Sequence, residues 1–426
     1  AGFRQAEACV EIRSAAELAE SVERLFASPE TAAAIGRRAL ACAESERGAT
    51  GRAVELAHEL YTHHLPHYRP AQPWFALGWP LERLWIWGAG RRMRHALASQ
   101  CRLSVPVISV GNITMGGTGK TPCVLRLATE LHNGGHAPAI LTRGYGRTSP
   151  ERQLALPPGA SVPARRTGDE PQLFLRSGLA AIGIGADRCA TGRLLESLCG
   201  VDVHILDDGF QHLRLGRTID IVLIDALNPF GGGRVFPLGR LREPLSGLAR
   251  ADIVLITRHH FSDLSQAIEC HLRQWNPRAS VYRARVEPRA WAEHPRGTSH
   301  PLSHPPFQRV AGFCGLGNPQ AFRRTLESAG VNIVAWHEFG DHHRYLPRQL
   351  KRVRAQAQAN GADALVTTGK DAVNLCDGTR DVLSPLPLFV LEIELAIENH
   401  AAFTAEILSR LGYNGSSPHI TEQSNG

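Results

Sequence analysis

Between Val105 and Pro122 the chain reads VPVISVGNITMGGTGKTP, an apolar run that gives way to a glycine-rich loop and then to Gly119-Lys120-Thr121. The run from Val105 to Val110 is β-branched and free of charge, the pattern of a strand covered on both faces in a parallel sheet. Thr114-Met115-Gly116-Gly117-Thr118-Gly119-Lys120-Thr121 then fits the phosphate-binding pattern G-x-x-x-x-G-K-[ST], except that Thr114 stands for the first glycine. Gly116, Gly117 and Gly119 free the backbone to turn its N–H groups inward, making an anion site at the start of the next helix. In such a loop Lys120 reaches the β- and γ-phosphates and the Thr121 hydroxyl binds Mg²⁺. A glycine-rich turn that binds nothing is the competing reading. The Lys-Thr pair behind an apolar strand speaks against it.

A strand-then-turn rhythm continues to about residue 260. Ala139-Ile140-Leu141, Ala180 to Gly185, Val203 to Leu206, Ile219 to Ile224 and Ile253 to Ile256 are apolar runs separated by helical segments. This predicts an α/β fold, a P-loop NTPase-like parallel sheet core with functional residues where strands end. The Pro- and His-rich passage from Glu287 to Pro306 reads as a long loop or interdomain connection. Beyond it Val310 to Cys314, Val331 to Trp336, Ala364 to Thr368 and Leu388 to Ile393 predict a second, smaller α/β domain. The expected divisions are 1–60, a helical extension; 61–104, an aromatic and basic segment; 105–290, the core; 291–415, the smaller domain; and a disordered polar tail, 416–426.

With 43% hydrophobic and 20% charged residues, the composition is that of a soluble globular protein, and the net charge of +7 favours anionic partners. Nine cysteines without a C-x-x-C pair predict reduced thiols in a cytosolic setting, with neither disulfides nor a zinc knuckle. No apolar run reaches membrane-spanning length and no signal peptide is present. The first residue, Ala1, is consistent with a processed end, a fragment or a fusion.

In the first segment Ser14 and Glu17 form a capping box ahead of Leu18, Val22 and Leu25, and Ser28-Pro29-Glu30 opens a second helix. In the next, Trp74, Phe75, Trp79, Trp85 and Trp87 lie among Arg83, Arg91, Arg92 and Arg94. Aromatics beside arginines suit a helix lying in the headgroup layer of an anionic membrane, and Glu82 with Arg83 interrupts the run, which argues against spanning. A helix docked on the protein's own core is the alternative. His63, His64 and His67 lack a second ligand cluster and read as solvated.

Two acidic strand ends compete to support the metal, Asp207-Asp208 and Asp225. The pair is favoured because adjacent acids at a glycine turn repel unless a cation offsets them, whereas Asp225 alone also suits a strand-end cap. Gly168-Asp169-Glu170-Pro171 places carboxylates where they would cap a helix. Arg240-Leu241-Arg242-Glu243-Pro244 could set guanidinium groups on phosphates and a carboxylate near the metal, or be a solvated surface turn. Phe339-Gly340-Asp341-His342-His343 offers histidines able to modulate a base near neutral pH.

Taken together, Gly111-Asn112-Ile113-Thr114, Gly119-Lys120-Thr121-Pro122, Arg143-Gly144-Tyr145-Gly146, Gly168-Asp169-Glu170-Pro171, Asp207-Asp208-Gly209-Phe210-Gln211-His212, Leu241-Arg242-Glu243-Pro244, Asp341-His342-His343 and Lys370-Asp371-Ala372 resemble, in order and approximate spacing, the tetraacyldisaccharide 4'-kinases. The resemblance covers about residues 75–412, and Thr114 in place of the first glycine belongs to it. Arg147 and Gly369 depart from it, where glycine and glutamate are usual. It implies an ATP- and Mg²⁺-dependent kinase of a lipid-linked disaccharide, peripheral on the cytoplasmic face of the bacterial inner membrane. An anionic membrane surface is then a partner, with neither nucleic acid nor an obligate protein partner expected.

It further implies a base role for Asp169, assisted by His342, with Lys120 and Asp208 also catalytic. Gln211 and the loop from Thr114 to Thr121 would hold the nucleotide, and Thr121, Asp207 and Glu243 the metal. Arg143, Tyr145, Arg188, His212 and Arg242 would face the anionic substrate. Residues 1–60 resemble the C-terminal tail of a Kdo transferase through Ala16-Glu17-Leu18-Ala19, Arg24-Leu25-Phe26-Ala27-Ser28-Pro29-Glu30 and Arg47-Gly48-Ala49.

Two other readings compete. A regulatory P-loop NTPase switch would draw on Thr367-Thr368-Gly369-Lys370-Asp371, which is similar to a guanine-reading loop. A membrane adaptor with a decayed nucleotide site is opposed by the intact Lys120, Thr121 and double Asp.

Overall fold

In the computed structural model, residues 6–12, 14–46, 72–316, 319–340, 343–376 and 378–413 are described. The chain divides into residues 1–64 and 65–426. In the first unit Ser14 caps α1 (Ala15–Ala27), its hydroxyl accepting from the Glu17 N–H at 3.2 Å, and α2 (Pro29–Glu46) starts on Pro29. Both helices follow from the cap and proline signals. His63, His64, His67 and the tail from Ser416 lie outside the described residues.

The second unit opens with α3 (Gln72–Ala98) and then β1 (Val107–Asn112), every residue of which is buried. α4 (Lys120–Asn133) follows the glycine loop and buries Cys123, Val124, Leu127, Ala128 and Leu131, one stripe at helical spacing. Next come β2 (Pro138–Thr142), β3 (Gln153–Leu156), α5 (Ala164–Thr167), α6 (Asp169–Ser177), β4 (Ala181–Gly185), α7 (Arg188–Cys199), β5 (Val203–Asp207), β6 (Ile219–Asp225), β7 (Ile253–Thr257) and α8 (Ser265–Trp275). β1 lies between β5 and β6 and is parallel to both. β2 and β4 extend the parallel sheet on the β5 side, and β7 on the other. All these strands therefore end on one edge. That edge carries Asn112, Thr142, Asp207, Asp225 and Thr257, in the crevice where open α/β sheets bind ligands.

The passage from Glu287 to Pro306 expected to be a loop is strand over 287–294 and 299–301 and irregular elsewhere. β8 (Ser280–His294) is followed by β9 (Ser299–Pro301), which pairs with it. β8 runs parallel to β7 through Ala284, and along its length it pairs antiparallel with a later strand, β13 (Leu388–Ile397). Pro288 is tolerated because it faces Ile393 at an irregularity in that ladder, where no regular hydrogen bond is lost. Between them lie β10 (Arg309–Cys314), α9 (Pro319–Ser328), β11 (Asn332–Glu338), α10 (Pro347–Ala359), β12 (Ala364–Thr368), α11 (Gly369–Val373) and α12 (Thr379–Leu383), and α13 (His400–Leu411) closes the described chain.

The strands make one sheet in the order β11-β10-β12-β13-β8-β7-β6-β1-β5-β2-β4-β3. β8 continues past the end of β7, with Ala284 opposite Thr257 and His294 opposite Leu388. β13 and its parallel neighbours β12, β10 and β11 thus run back toward the first half. The carboxyl ends of the two sets of strands face one another.

The expectation of no disulfide is also corrected. Cys101 and Cys189 are bridged, their Cα atoms 6.5 Å apart. They are separated by 88 residues, and they meet because the segment before β1 lies along α7, with the Ser104 and Val105 N–H groups donating to Glu196 at 3.0 and 3.3 Å. Cysteine spacing alone carries no sign of this packing.

Gly111 has no room for a side chain: a Cβ there would sit 2.6 Å from the Phe210 nitrogen and Cβ. Gly111→Ala is therefore expected to cost roughly 1–3 kcal/mol, the scale of overpacking in a closed core. An unchanged urea midpoint would show that this strand and the Phe210 turn can separate.

Candidate active site

Asn112, the last residue of β1, starts the glycine loop. Its amide nitrogen donates to the Thr114 carbonyl at 2.8 Å and its oxygen accepts from Lys120 Nζ at 3.2 Å. Further carbonyls of the loop are taken from behind. Arg240 Nη2 donates to the Met115 carbonyl at 3.0 Å, Arg258 donates to the Gly117 carbonyl, and the Thr257 hydroxyl donates to the Thr118 carbonyl at 3.0 Å. A trans peptide sends its N–H opposite its C=O, so the amides of Gly116, Thr118 and Gly119 point away from these anchors. Gly119, at φ 90°, caps α4 with no side-chain hydrogen bond, which leaves the positive end of the helix dipole to a ligand.

Leu241 bridges to Thr114, the Met115 N–H donates to the Arg240 carbonyl at 2.7 Å, and the Arg242 N–H donates to the Ile113 carbonyl at 2.8 Å. Arg240, expected on phosphates, is thus a brace of the loop; Arg242 turns into the site. Arg242 Nη1 donates to both Asp208 oxygens at 2.8 and 2.9 Å and to Gln211 Oε1 at 3.3 Å, and Lys120 Nζ lies 3.4 Å from Asp208. Gln211 Nε2 donates to the Asn112 carbonyl and to Glu243, each at 2.9 Å. Glu243 also accepts from Arg250 at 3.0 and 2.8 Å, and that guanidinium stacks over Phe210.

The two adjacent aspartates are in opposite electrostatic states. Burial by itself would raise Asp208, but Lys120 and Arg242 hold its carboxyl below the usual range. Asp207 is 5% exposed and is pushed up to about 7 by burial and by the charges of Glu170 and Asp208, against the pull of Lys120 and the Thr142 hydroxyl, which donates to it at 3.0 Å. Such a carboxylate gains from a nearby cation. Among the described residues no three His, Cys, Asp or Glu side chains gather as a metal cluster. Mg²⁺ takes only one or two carboxylates beside substrate phosphates, so this donor set fits it. Asp225, the competing candidate, is committed to Arg258 at 3.1 Å and to the Leu227 N–H at 3.1 Å, which is the strand-end role.

On the other side of β5 the cations collect. Arg143 Nη1 donates to the Tyr145 hydroxyl at 2.8 Å and stacks over its ring. Gly168 must be glycine here: at φ 88° its Cβ would fall 2.3 Å from the Tyr145 carbonyl, so this loop seats directly against the start of α6, where Asp169 and Glu170 stand in the first turn. Arg188 opens α7, is buried, and donates to the Gly185 and Ala186 carbonyls at 3.1 and 3.3 Å. Burial and then Arg143 lower its pKa, and burial, Arg188 and Arg217 hold His212 down at about 4. Cations so crowded would favour a bound anion.

His342 lies outside the described residues. Near its flanks a Cβ on Gly315 would approach the Gly340 carbonyl, the His343 Cβ and Asp371. Asp371 is buried and accepts from the Gly315 N–H and the Tyr345 hydroxyl, both at 2.8 Å, and from Thr368 at 2.6 Å. α11 reaches the first half where Arg176 of α6 donates to the Ala372 carbonyl at 3.2 Å. Asn112, Thr142, Glu170, Arg250, Thr257 and Arg258 also stand at the site; sequence reasoning assigns none of them a particular role there, although Asn112 and Glu170 lie in motifs quoted above. Several of them are strand ends, the one signal that could have found them.

An anchored glycine loop at the carboxyl edge of a parallel sheet, with a lysine, a divided aspartate pair and a cationic wall, defines a P-loop phosphotransferase of the α/β class. Residues 74–412 match the family model of tetraacyldisaccharide-1-P 4'-kinase, and the chain belongs to that family and is a kinase. It is 38% identical over 322 residues to the tetraacyldisaccharide 4'-kinase of Syntrophus aciditrophicus, covering 73% of this chain and 85% of that one. With its counterpart from Geobacter metallireducens it shares 41% over 278 residues, 64% of this chain and 80% of that one. The LpxK structure from Aquifex aeolicus in complex with ATP superposes with a TM-score of 0.63 at 26% identity, covering 78% of this chain and 98% of that one.

His212 should be neutral at pH 7, because its folded value of about 4 lies below the ordinary 6.5. The unfolded chain then binds the proton first, so this histidine's contribution to stability is complete above pH 6.5 and declines as pH falls toward 4. An imidazole NMR titration should show no inflection between pH 5.5 and 7.5, and Arg188→Ala should move the midpoint upward. A midpoint at the ordinary value would mean that the cationic wall does not form.

Proposed function

We propose that this chain transfers the γ-phosphate of ATP to the 4'-hydroxyl of a tetraacyldisaccharide 1-phosphate, a lipid A precursor, working peripherally at the cytoplasmic face of the inner membrane. Family membership supports the reaction, and the observation that carries it to this site is the glycine loop whose carbonyls are held from behind while Lys120 and the helix terminus face the crevice. The ATP-bound relative supports the nucleotide.

Phosphoryl transfer asks for positioning and charge stabilisation more than covalent chemistry. Lys120 and the loop amides orient the β- and γ-phosphates, and Arg242, braced on Asp208 and Gln211, adds positive charge beside them. Asp207 and Thr121 would hold Mg²⁺, with Glu243 supporting through Gln211; when bound, the ion neutralises charge shared between the phosphates. Asp169, at the open end of α6, takes the proton from the acceptor hydroxyl, assisted by His342. Arg143, Tyr145, Arg188 and His212 hold the anionic acceptor.

No helix among the described residues is long and apolar enough to cross a membrane. α3 nevertheless exposes Phe75, Trp79, Leu81, Leu84 and Trp87, the last 60% exposed, beside exposed Arg83, Arg91, Arg92 and Arg94. Apolar side chains among cations support a helix lying in an anionic headgroup layer. The switch reading loses support, because the Asp371 carboxylate is consumed by Gly315, Tyr345 and Thr368.

Labelled ATP and a tetraacylated disaccharide 1-phosphate should give labelled lipid with the parent protein and none with Lys120→Ala. Asp169→Asn should lower turnover by ~10²-fold or more while ATP binding persists; normal turnover would remove the base assignment. Trp79→Ser with Trp87→Ser should weaken sedimentation with anionic vesicles, and equal sedimentation would take α3 off the membrane.

A further inference from the structure

Glu82 lies in the middle of an otherwise exposed stretch of α3, yet it is 6% exposed. Its Oε1 accepts from the Val235 N–H at 3.0 Å, and its Oε2 pairs with Arg234 Nη2 at 2.9 Å as an ionic contact. About one turn earlier Gly78 lets the helix sit flush on Leu238, where a Cβ would approach to 2.3 Å. One turn later Trp85 Nε1 donates to the Arg242 carbonyl at 3.3 Å, and its ring lies 5.2 Å from that of Phe236. These residues share one helical face. They grip the loop from Arg234 to Arg242, the same loop that braces the phosphate site through Arg240 and sends Arg242 to Asp208.

A buried carboxylate is costly unless its partners are fixed, so removing this one frees both Arg234 and the Val235 N–H. We infer that Glu82 is a positioning residue for phosphoryl transfer: α3, beyond meeting the lipid surface, is a strut of the phosphate site, acting through the Arg234–Arg242 loop. The inference rests on the kinase reading, and the parent enzyme keeps the two apart. If the parent transfers no phosphate, the kinase reading fails; if the parent transfers and the variants below match it, only this inference fails.

The experiment uses acceptor dispersed in detergent, so that attraction to a bilayer does not enter. Glu82→Ala should lower kcat/KM for ATP roughly ten- to hundredfold, as small misplacements of phosphate-binding groups do, with the KM for the lipid acceptor unchanged. Glu82→Gln, which keeps an acceptor for the Val235 N–H, should recover most of the loss. In an Arg240→Ala background Glu82→Ala should cost less than it does alone, because the two act in series. A folded Glu82→Ala enzyme with kcat/KM for ATP within about twofold of the parent, or fully additive losses in the double variant, would overturn the inference. Should Glu82→Ala not fold by circular dichroism, Trp85→Phe decides: it removes only the indole donor to Arg242, and ATP kinetics equal to the parent's overturn the assignment.

Discussion

The phosphate loop depends on what its carbonyls do. A glycine-rich turn of this length has many conformations, and its N–H groups bind an anion well only if they are aimed before the anion arrives. Here the aiming is done from the far side of each peptide. Asn112, Arg240, Arg258 and Thr257 occupy the carbonyls of Thr114, Met115, Gly117 and Thr118, and the rigid peptide plane turns those anchors into amide direction. Because the anchors come from the ends of β1 and β7 and from the Arg234–Arg242 loop, the site inherits the rigidity of the sheet.

The same edge explains the division of charge. Parallel strands bring their carboxyl ends together, so acids placed there are forced into proximity that they would avoid on a surface. Asp208 resolves this by contact with Lys120 and Arg242, which hold its carboxyl below the usual range; Asp207, deeper, rises through burial and the charges of Glu170 and Asp208. Two neighbouring residues in one turn thus have opposite shifts, one carboxyl held down by its cations and the other pushed up by burial and neighbouring acids. Across β5, burial and then Arg143 lower Arg188, and burial, Arg188 and Arg217 lower His212, a crowding of cations that a bound anion would relieve. The long β8 to β13 ribbon then carries the second set of strands over this crevice with their own carboxyl ends turned toward it.

The parts of this arrangement that sequence makes legible are those where one physical requirement dominates. β1, β2, β4, β5, β6 and β7 are covered on both faces, so they read as uninterrupted apolar runs, and the glycine loop carries its pattern in consecutive residues. β8 is different: half-covered over much of its length, it mixes Arg285, Glu287, Pro288 and Arg289 with apolar residues, and only its partner β13 makes it a strand. β3, a short edge strand, is hidden for a similar reason. Side chains that anchor carbonyls leave no spacing to read, since the bond from Arg258 to Gly117 joins residues 141 apart. The bridge of Cys101 to Cys189 is equally a product of packing between distant segments.

α3 shows why a single helix resists a single reading. Its sequence admits both a membrane-facing aromatic helix and a helix docked on the core; the structure docks one face and leaves apolar side chains exposed on another. Trp79, Leu84 and Trp87 face outward, while Gly78, Glu82 and Trp85 clamp the loop that braces the phosphates. A charge such as Glu82 inside an aromatic run looks from the sequence like an interruption of membrane contact. Its burial gives the cause as the inner face, where a carboxylate accepts from the Val235 N–H and pairs as an ion with Arg234, as no apolar side chain could. The exposed apolar face and the face that grips the Arg234–Arg242 loop thus belong to one helix, so whatever covers the first lies one helix width from the brace of the phosphate site.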